Sequence, residues 1–433
     1  MGKLVGLYTD SEVVARDPRY IEALQREIGL NLVILGSGLK GGRYNLSPEV
    51  RALDPVARRG GGEPPGVQYG NDDSLLRLAI REAHRRGIRV WLLGAGWQYI
   101  GAERFPDMVS VDFSGRPVSE TPEVPYAVEQ YWLTFCPNHP ELNEWFEAAF
   151  SDMARSYDVE GIDVTHYRYT APAFFYGLFG CACPKCREAA EEMGYDFEGM
   201  RRGMTQLLDG LRRLDAGSVR HMARTGMGWT DLVQVLEEGV LNWFRFRAEV
   251  ISRNLRRFRD AVHRATGGKV LFGGDAFPPS FAPLVGHLYR DLGESLDFVS
   301  PLLPHVEVFI SSTWAAYAGL LCSWVPGLGE REALRSVYCL FGYGDMAGLP
   351  EAIEDLGVGG PDGEYRCLPL KDILVRELYK ARAFISGVSY PVVKGRLWPP
   401  AVIRDAVESA EDMGHEGIIF QGTSGLVEYP GRT

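Results

Sequence analysis

Four cysteines have the residue type and spacing of a metal-binding group. Cys181, Cys183 and Cys186 fall within six residues, and Cys136 precedes them in the loop before the helix that leads to the same region. Three thiolates this close can bind one tetrahedral ion but leave one position to fill. Cys136 is the natural fourth ligand, because adjacent parallel strands would bring the two loops together. A site of four cysteines is closed, so we expect a structural zinc ion rather than a catalytic one.

The alternative interpretation is that these cysteines are small buried or reduced thiols. Redox chemistry is disfavoured, because Cys183-Pro184-Lys185-Cys186 lacks the thioredoxin-like unit that would present it. Seven cysteines in all, three of them tightly spaced, do not fit a secreted disulfide framework. Cys322, Cys339 and Cys367 have no metal-like spacing and are expected to be single core or surface residues.

Carboxylates near the ends of predicted strands could do acid–base chemistry. Asp275 directly follows Gly273-Gly274, where the missing side chains would let a substrate approach the backbone. Asp163 lies in the fourth predicted strand. Glu307 follows the sixth and is the most available acid–base partner for either aspartate. Hydrolysis of a glycosidic bond needs two such groups on either side of the bond.

Each carboxylate also has a structural interpretation. Asp275 could cap the turn that follows it, and Glu307 could be a surface loop residue. Asp163 could be an ionic residue of the core, paired with Arg168 or another cation. Strand alternation directs Asp163 and Thr165 to one side of the strand. The sequence alone therefore leaves Asp163 open between a nucleophile and a core residue.

Eight short apolar runs, most of them followed by a helical pattern, predict the elements that position these groups. The runs are Lys3–Tyr8, Asn31–Leu35, Arg89–Leu93, Gly161–His166, Lys269–Gly274, Leu296–Leu302, Ser389–Val393 and Gly417–Phe420. The alternation favours an α/β fold, a closed TIM (β/α)8 barrel with long insertions in the βα loops. Thr9-Asp10-Ser11-Glu12 after the first run has no Gly-x-Gly-x-x-Gly, so an open dinucleotide-binding sheet is disfavoured.

The same pattern predicts one domain over residues 1–433, with an insertion over Ala95–His139 after strand three and two further insertions. A mainly helical one spans 170–241 after strand four, and another spans 304–363 after strand six. Loops after the strands build the active-site face of such barrels, so the insertions are expected to form walls of a cleft. Helices are predicted over Leu75–Arg86, capped by Asp73 and ended by Gly87, over Pro140–Tyr157, and from Pro399-Pro400 to Met413, ended by Gly414.

The cysteine pattern resembles the zinc cluster of the family 42 β-galactosidases, which are barrel glycosidases. The match covers Cys136 to Cys186. In their clan the acid/base is a Glu after strand four and the nucleophile a Glu after strand seven. Here the corresponding segments read Asp163-Val164-Thr165-His166-Tyr167-Arg168 and Tyr390-Pro391-Val392-Val393-Lys394, without either Glu. The first segment is also similar to the strand-four signature of chitinases, again without its catalytic Glu.

A broader resemblance covers most of the chain. It is similar to the uncharacterised barrel glycoside hydrolases labelled "hypothetical glycosyl hydrolase" or "family 10-like". The segments that carry it are Cys136-Pro137-Asn138, Gly161-Ile162-Asp163 through Arg168-Tyr169, Asp275-Ala276-Phe277-Pro278-Pro279-Ser280, Asp297-Phe298-Val299-Ser300-Pro301 and Gly417-Ile418-Ile419-Phe420, besides the cysteine-rich loop. The resemblance implies carbohydrate chemistry without naming a sugar.

Polar and aromatic residues near the strand ends are candidates to bind such a substrate. Those expected to contact sugar hydroxyls or rings are His166, Arg168, His305, Tyr390, Lys394, Gln421 and Trp97. Further aromatic residues in the wall-forming loops are Tyr99, Tyr131, Trp132, Trp314 and Tyr317, which could equally belong to the core.

Three functional hypotheses follow. The first is a glycoside hydrolase with Asp163, Asp275 and Glu307 as the candidate catalytic residues. The second is a catalytically silent barrel that binds carbohydrate, favoured by the missing glutamates. A metal-dependent hydrolase of the amidohydrolase kind is disfavoured, because no His-x-His follows in strand one.

Charge and hydropathy limit the partners. The net charge of −11 would repel nucleic acid. The longest nearly apolar run, Trp314 to Val325, is too short to cross a bilayer. The strand-like N-terminus is too brief for a signal peptide, so we expect a cytoplasmic protein with no membrane partner and no organic cofactor. The aromatic loops and the resemblance to assembling glycosidases make a homo-oligomer an option.

Overall fold

The computed structural model describes residues 3–36, 43–60, 68–70, 72–97, 105–128, 134–226, 236–358, 368–423 and 426. Eight parallel strands dominate the described part of the chain. They are β1 Leu4–Thr9, β2 Leu32–Leu35, β3 Arg89–Ala95, β4 Gly161–Thr165, β5 Leu271–Ala276, β6 Phe298–Pro301, β7 Val392–Lys394 and β8 Gly417–Gln421. Each predicted run overlaps one of these strands, and the ends agree to within two residues except at Ser389, three residues before β7 begins.

The eight strands form one nearly closed barrel. Neighbouring strands along the chain pair from β1 to β6, β8 pairs with both β7 and β1, and every ladder is parallel. Between β6 and β7 the contact consists of two isolated parallel bridges, Val299 with Ser389 and Leu302 with Val392. The predicted α/β TIM barrel is therefore confirmed.

The interior of the barrel is filled by side chains from alternate positions of the strands. This inner cluster consists of Leu4, Leu32, Ile34, Trp91, Leu93, Phe298, Val392 and Ile419. The rings of Trp91 and Phe298 stack with their centroids 4.1 Å apart. These side chains form a packed apolar plug in the amino-terminal half of the interior. Polar side chains lie at the carboxyl end of the barrel.

Helices surround the barrel. The α-helices among the described residues are α1 Ser11–Arg16, α2 Arg19–Ile28, α3 Pro48–Arg51, α4 Pro55–Arg58, α5 Ser74–His84, α6 Pro140–Ser156, α7 Pro184–Glu192, α8 Phe197–Arg212, α9 Ala216–Thr225, α10 Glu238–Thr266, α11 Tyr289–Ser295, α12 Ser312–Trp324, α13 Glu330–Leu340, α14 Leu370–Phe384 and α15 Pro400–Asp412. Short 3-10 turns occur at Val118–Glu120, Phe175–Phe179, Ala282–Val285 and Glu354–Leu356, a π-helix occurs at Val306–Ser311, and a small parallel pair joins Arg43–Tyr44 to Gln68–Tyr69.

The three predicted helices correspond to α5, α6 and α15. Asp73 occupies the position before α5, but its carboxylate accepts from Arg77 and Tyr157 instead of capping the helix. Gly87 and Gly414 follow α5 and α15 with φ of 69° and 81°, which a residue with a side chain rarely adopts. Both glycines therefore terminate their helices as the pattern predicts.

The segment after β4 is mainly helical. It contains the Phe175–Phe179 turn and α7 to α9, and it leads into α10, which is 29 residues long. Helix α10 packs along both α6 and α8. Within the described residues, no helix combines the length and apolar character needed to cross a membrane.

The packing around Trp91 generates a first prediction. A Cβ at Gly161 would lie 2.6 Å from Trp91 Cδ1, and the Trp91 ring is held against Phe298. We expect Gly161→Ala to lower the free energy of unfolding by about 1–3 kcal/mol in urea denaturation. The matched control is Gly210→Ala in α8, where nothing lies within 4 Å of the added Cβ. That change should be neutral or stabilise by up to about 1 kcal/mol, and equal midpoints for both variants would contradict this packing.

Candidate active site and metal centre

Two aspartates from neighbouring strands meet toward the carboxyl end of the barrel interior. Asp163 in β4 and Asp275 in β5 both occupy inward-facing positions. Asp163 is in register with Gly273, so Asp275 lies two residues closer to the carboxyl end. The Tyr8 hydroxyl, from β1, lies 2.6 Å from Asp163 Oδ2 and 2.8 Å from Asp275 Oδ1. One phenol therefore joins the two carboxyl groups.

The single proton of a phenol determines how this chain of hydrogen bonds can be arranged. Tyr8 can donate to only one of the two carboxyl oxygens. The second short contact is a hydrogen bond only if the other carboxyl group is protonated and donates to the phenolic oxygen. Asp163 has no exposed surface, whereas Asp275 is 8% exposed. Burial disfavours the charged form, so we assign the proton to Asp163.

The pKa shifts agree with this assignment. Burial, followed by the charge of Asp275, raises the pKa of Asp163 well above its ordinary value. Burial raises the pKa of Asp275 to about 6, against the lowering effect of the hydrogen bonds from Tyr8 and Thr165. Asp275 thus ionises first, while Asp163 keeps its proton. At neutral pH protonated Asp163 donates to Tyr8, and Tyr8 donates to the Asp275 carboxylate.

Further polar side chains line the same end of the interior. Ser300 of β6, Lys394 of β7 and Gln421 of β8 occupy inward-facing positions, and Ser300 and Lys394 are buried. Among the buried side-chain oxygens of the described residues that make no hydrogen bond, Asp163 Oδ1, Ser300 Oγ and Gln421 Oε1 belong to these inward-facing positions. Buried polar atoms normally have partners. Of the three, Gln421 is partly exposed and can reach a polar ligand, whereas Asp163 and Ser300 have no exposed surface.

Three predicted binding residues lie together just beyond β4 and β6. His166 follows β4 with φ of 57°. Burial lowers its pKa well below the ordinary value, and the charges of Arg168 and His305 lower it further, so His166 is neutral. The Arg168 guanidinium lies 5.2 Å from the centroid of the Phe277 ring. The Asp163 carboxyl group bonds to Tyr8 and not to Arg168, the partner expected if it were a core ionic residue.

Trp97 and Tyr390 lie elsewhere. Trp97 has no exposed surface, donates from Nε1 to Asn143 and packs edge-on against Phe146. Its ring therefore belongs to the layer between the barrel and α6 and offers no face to a ligand. Tyr390 precedes β7 and packs against Trp91 at a centroid distance of 6.0 Å, in the amino-terminal half of the interior.

Other predicted positions give a mixed outcome. Glu307 lies in the π-helix Val306–Ser311, and its side chain lies outside the described part of the structure. Trp314 has no exposed surface and packs edge-on against Tyr343, so it is a core residue. Tyr317 packs edge-on against a neighbouring phenylalanine ring. Tyr99, Tyr131 and Trp132 lie outside the described residues.

The expectation that two glycines leave room for a substrate is wrong. A Cβ at Gly273 would meet the Phe298 ring at 2.5 Å, and a Cβ at Gly274 would meet the Tyr167 ring at 2.6 Å. Protein rings already fill both spaces. The glycines are needed because large side chains pack against the backbone of β5.

The four predicted metal ligands come together. Their sulfur atoms all lie within 4.8 Å of one another. Cys136 Sγ is 3.5 Å from both Cys183 Sγ and Cys186 Sγ, which excludes disulfides between these pairs. Sulfur atoms around a tetrahedral zinc ion, each roughly 2.3 Å from the metal, would be separated by nearly 4 Å. The cluster can therefore hold one metal ion in a closed, four-sulfur site.

Local structure favours anionic sulfur at this cluster. Cys183 precedes α7 and Cys186 lies in its first turn, where the helix dipole favours negative charge. The Asn138 backbone N–H lies 3.4 Å from Cys136 Sγ, and the Asn138 side-chain amide lies 3.3 Å from Cys186 Sγ. Both can donate to a thiolate. The cluster ties the loop after β3 to the loop after β4, where the Ala182 N–H also donates to Val111.

Tyr8 is a site residue that sequence reasoning missed. It was interpreted only as the last residue of a strand. Alternation from Leu4 through Gly6 turns Tyr8 into the barrel near its carboxyl end, where a hydroxyl is unlike the apolar plug below. Ser300 of β6 lies two residues after the inward-facing Phe298, so the same alternation predicts its inward position. Inward-facing polar residues late in barrel strands were the signal that could have identified both.

Comparisons with known proteins agree with the fold. No protein-family model matches the chain, and no curated protein matches it significantly. The catalytic domain of a β-amylase from Paenibacillus polymyxa matches with a TM-score of 0.50 at 10% identity, over 99% of this chain and 94% of that one. The PgaB (BpsB) glycoside hydrolase domain from Bordetella bronchiseptica matches with a TM-score of 0.49 at 10% identity, over 99% and 96%. At these identities the likeness concerns the fold alone.

The raised pKa of Asp275 predicts how stability depends on pH. An acid whose pKa is higher in the folded than in the unfolded protein costs stability once it ionises. The free energy of unfolding should therefore fall as pH rises from about 4 to about 6, by about 3 kcal/mol for a shift from 3.8 to about 6. Urea denaturation of the wild type and Asp275→Asn at pH 4, 5, 6 and 7 measures the difference. Parallel pH profiles for the two proteins would be inconsistent with a raised pKa.

Proposed function

We propose that the protein is a glycoside hydrolase in which Asp275 is the reacting carboxylate. The observation that carries the proposal is the hydrogen-bond chain from Asp163 through Tyr8 to Asp275 at the carboxyl end of the barrel, the face on which barrel enzymes build their active sites. One solved structure with this fold is the catalytic domain of a β-amylase, which supports the same class of reaction. The substrate we propose is an oligosaccharide or a simple glycoside.

In this proposal Asp275 works in its ionised form. It accepts hydrogen bonds from Tyr8 and Thr165, and both stabilise the anion. An ionised carboxylate next to the anomeric carbon can act as nucleophile, or as a base that activates water. Asp163 has no exposed surface and so cannot touch a sugar. We assign it, together with Tyr8, the role of a positioning residue.

The proton for the departing oxygen must then come from a second acid. We propose Glu307 for this role, because it follows β6, the strand beside β5 in the barrel. His166, Arg168, His305, Lys394 and Gln421 are proposed to contact the hydroxyl groups of the sugar. The chain would then be one catalytic barrel, with 170–241 and 304–363 as insertions around this face.

Substitution of the reacting carboxylate tests the proposal. On a panel of aryl glycosides and oligosaccharides, Asp275→Asn should lower kcat/KM by roughly 10²–10⁴-fold. The melting temperature at pH 7 should not fall, because the substitution removes a buried charge. The control is Asp209→Asn, an exposed carboxylate of α8. Unchanged turnover in Asp275→Asn would refute the assignment. Calorimetric binding of a glycoside without cleavage by the wild type would favour the carbohydrate-binding alternative instead.

The hydrogen bond from Tyr8 predicts a shift in the pH profile. In the wild type, kcat/KM should rise with pH through about 6, as Asp275 ionises. Tyr8→Phe removes a donor that lowers the pKa of Asp275, so the rising limb should move to higher pH. A merely structural role for Tyr8 would lower activity at every pH without moving the limb, and that result would contradict the proposed positioning role.

We also propose that the four cysteines bind one structural zinc ion. The support is a set of four sulfur atoms at metal-binding distances with N–H groups directed at two of them. The metal would hold two long loops together without taking part in chemistry. Structural zinc binding is worth on the order of 10 kcal/mol in small peptides.

Metal analysis of purified protein tests this site. Protein prepared without chelator should contain one zinc ion per chain, and Cys183→Ser should lose the metal and melt at a lower temperature. Cys322→Ser, outside the cluster, is the matched control and should keep both. A wild-type protein without metal, or a Cys183→Ser variant that keeps it, would rule out the four-cysteine site.

A further inference from the structure

A fully buried arginine lies in the middle of α10. Arg247 has no exposed surface, and among the described residues no carboxylate forms an ion pair with it. Its Nη1 donates to Leu284 O at 3.0 Å and its Nη2 to Gly177 O at 3.5 Å, while Nε has no partner within the described residues. Its guanidinium is thus held by neutral carbonyl groups alone.

Aromatic rings complete the surroundings of this cation. The guanidinium carbon lies 4.1 Å from the centroid of Tyr169 and 5.9 Å from that of Trp243. Cation–π contacts of this kind offset part of the cost of removing a charge from water. Burial lowers the pKa of Arg247 only to about 10, so it stays charged at neutral pH. A buried charge normally has a partner of opposite sign.

The helix that carries Arg247 also contacts the loops of the cysteine cluster. Gly177, whose carbonyl accepts from Arg247, lies four residues before Cys181. Asn254 lies two turns further along the same face of α10 and donates to Pro137 O, next to Cys136. Helix α10 therefore reaches both loops of the cluster. The thiols of Cys181 and Cys186 also act electrostatically on the guanidinium.

A metal ion bound by the four cysteines would leave an uncompensated negative charge. A divalent ion held by four thiolates leaves a net charge of −2, and the N–H donors that reach Cys136, Cys183 and Cys186 carry no charge of their own. An arginine without a carboxylate partner supplies a compensating positive charge in the same interior. The same cation beside four neutral thiols would be unpaired.

We infer that Arg247 is the counter-ion of the metal–thiolate centre and raises its affinity for the metal. This inference rests on the proposed zinc site. Arg247 acts through its charge, across Tyr169 and the Gly177 loop, without contributing a ligand atom. Residues that support a metal site without binding the metal themselves typically account for roughly 10–100-fold in metal affinity.

Zinc affinity of the full-length protein tests the inference. Reduced, metal-free wild type, Arg247→Met and Arg247→Lys are titrated with zinc against a chromophoric chelator. We expect Arg247→Met to bind zinc roughly 10–100-fold more weakly, and Arg247→Lys, which keeps the charge, to stay within a few-fold of the wild type. Ser252→Ala, at another buried position of α10, is the matched control. It removes a hydroxyl that makes no hydrogen bond among the described residues, leaves the charge unchanged, and should keep wild-type affinity.

The outcomes separate the two proposals. A wild-type protein that binds no zinc would overturn both the metal site and the role of Arg247. Zinc binding by the wild type with equal affinity in Arg247→Met, or an equal loss in Arg247→Met and Arg247→Lys, would overturn the counter-ion role alone. If Arg247→Met does not fold, Arg247→Gln retains donors for the two carbonyl groups and carries the same prediction.

Discussion

A single phenol hydroxyl lies between two buried carboxyl groups, and this geometry requires the two groups to differ in protonation state. Tyr8 has a single proton, so Asp163 and Asp275 cannot both be ionised acceptors at 2.6 and 2.8 Å. The deeper group keeps its proton and the shallower one ionises. Two residues of the same type thereby acquire separate roles from their depth in the barrel, as is common for pairs of acidic groups in enzymes.

The barrel below supplies the conditions for this arrangement. The stacked rings of Trp91 and Phe298 fill the amino-terminal half of the interior, and Gly273 provides the space for the second ring. Water is thus excluded beneath Asp163, and its ionisation is correspondingly unfavourable. Outside the barrel, the cysteine cluster and α10 connect the loop after β3 to the loop after β4. Strand β4 is the one that contains Asp163. The apolar plug and the cysteine cluster therefore support the site from different sides.

Most of the fold was predictable from the sequence, because the eight apolar strands and the terminating glycines are local signals. The cysteine cluster was also predictable. Its residue type and spacing indicate metal binding, and the order of the strands places the loop of Cys136 beside the loop of Cys181. Trp97 could not be distinguished from a ligand-binding ring, because its burial depends on α6 packing over it. Tyr8 is separated along the chain from Asp163 by 155 positions and from Asp275 by 267 positions. Such contacts depend on closure of the barrel and have no local sequence pattern.

Infrared difference spectroscopy of the carboxyl groups tests the shared-proton arrangement most directly. At pH 7 the wild-type protein should show the carbonyl stretch of one buried protonated carboxylic acid, and the band should be absent from Asp163→Asn and present in Asp209→Asn. A wild-type spectrum without a protonated carboxyl band at this pH, or a band that persists in Asp163→Asn, would contradict a neutral Asp163 donating through Tyr8 to an ionised Asp275.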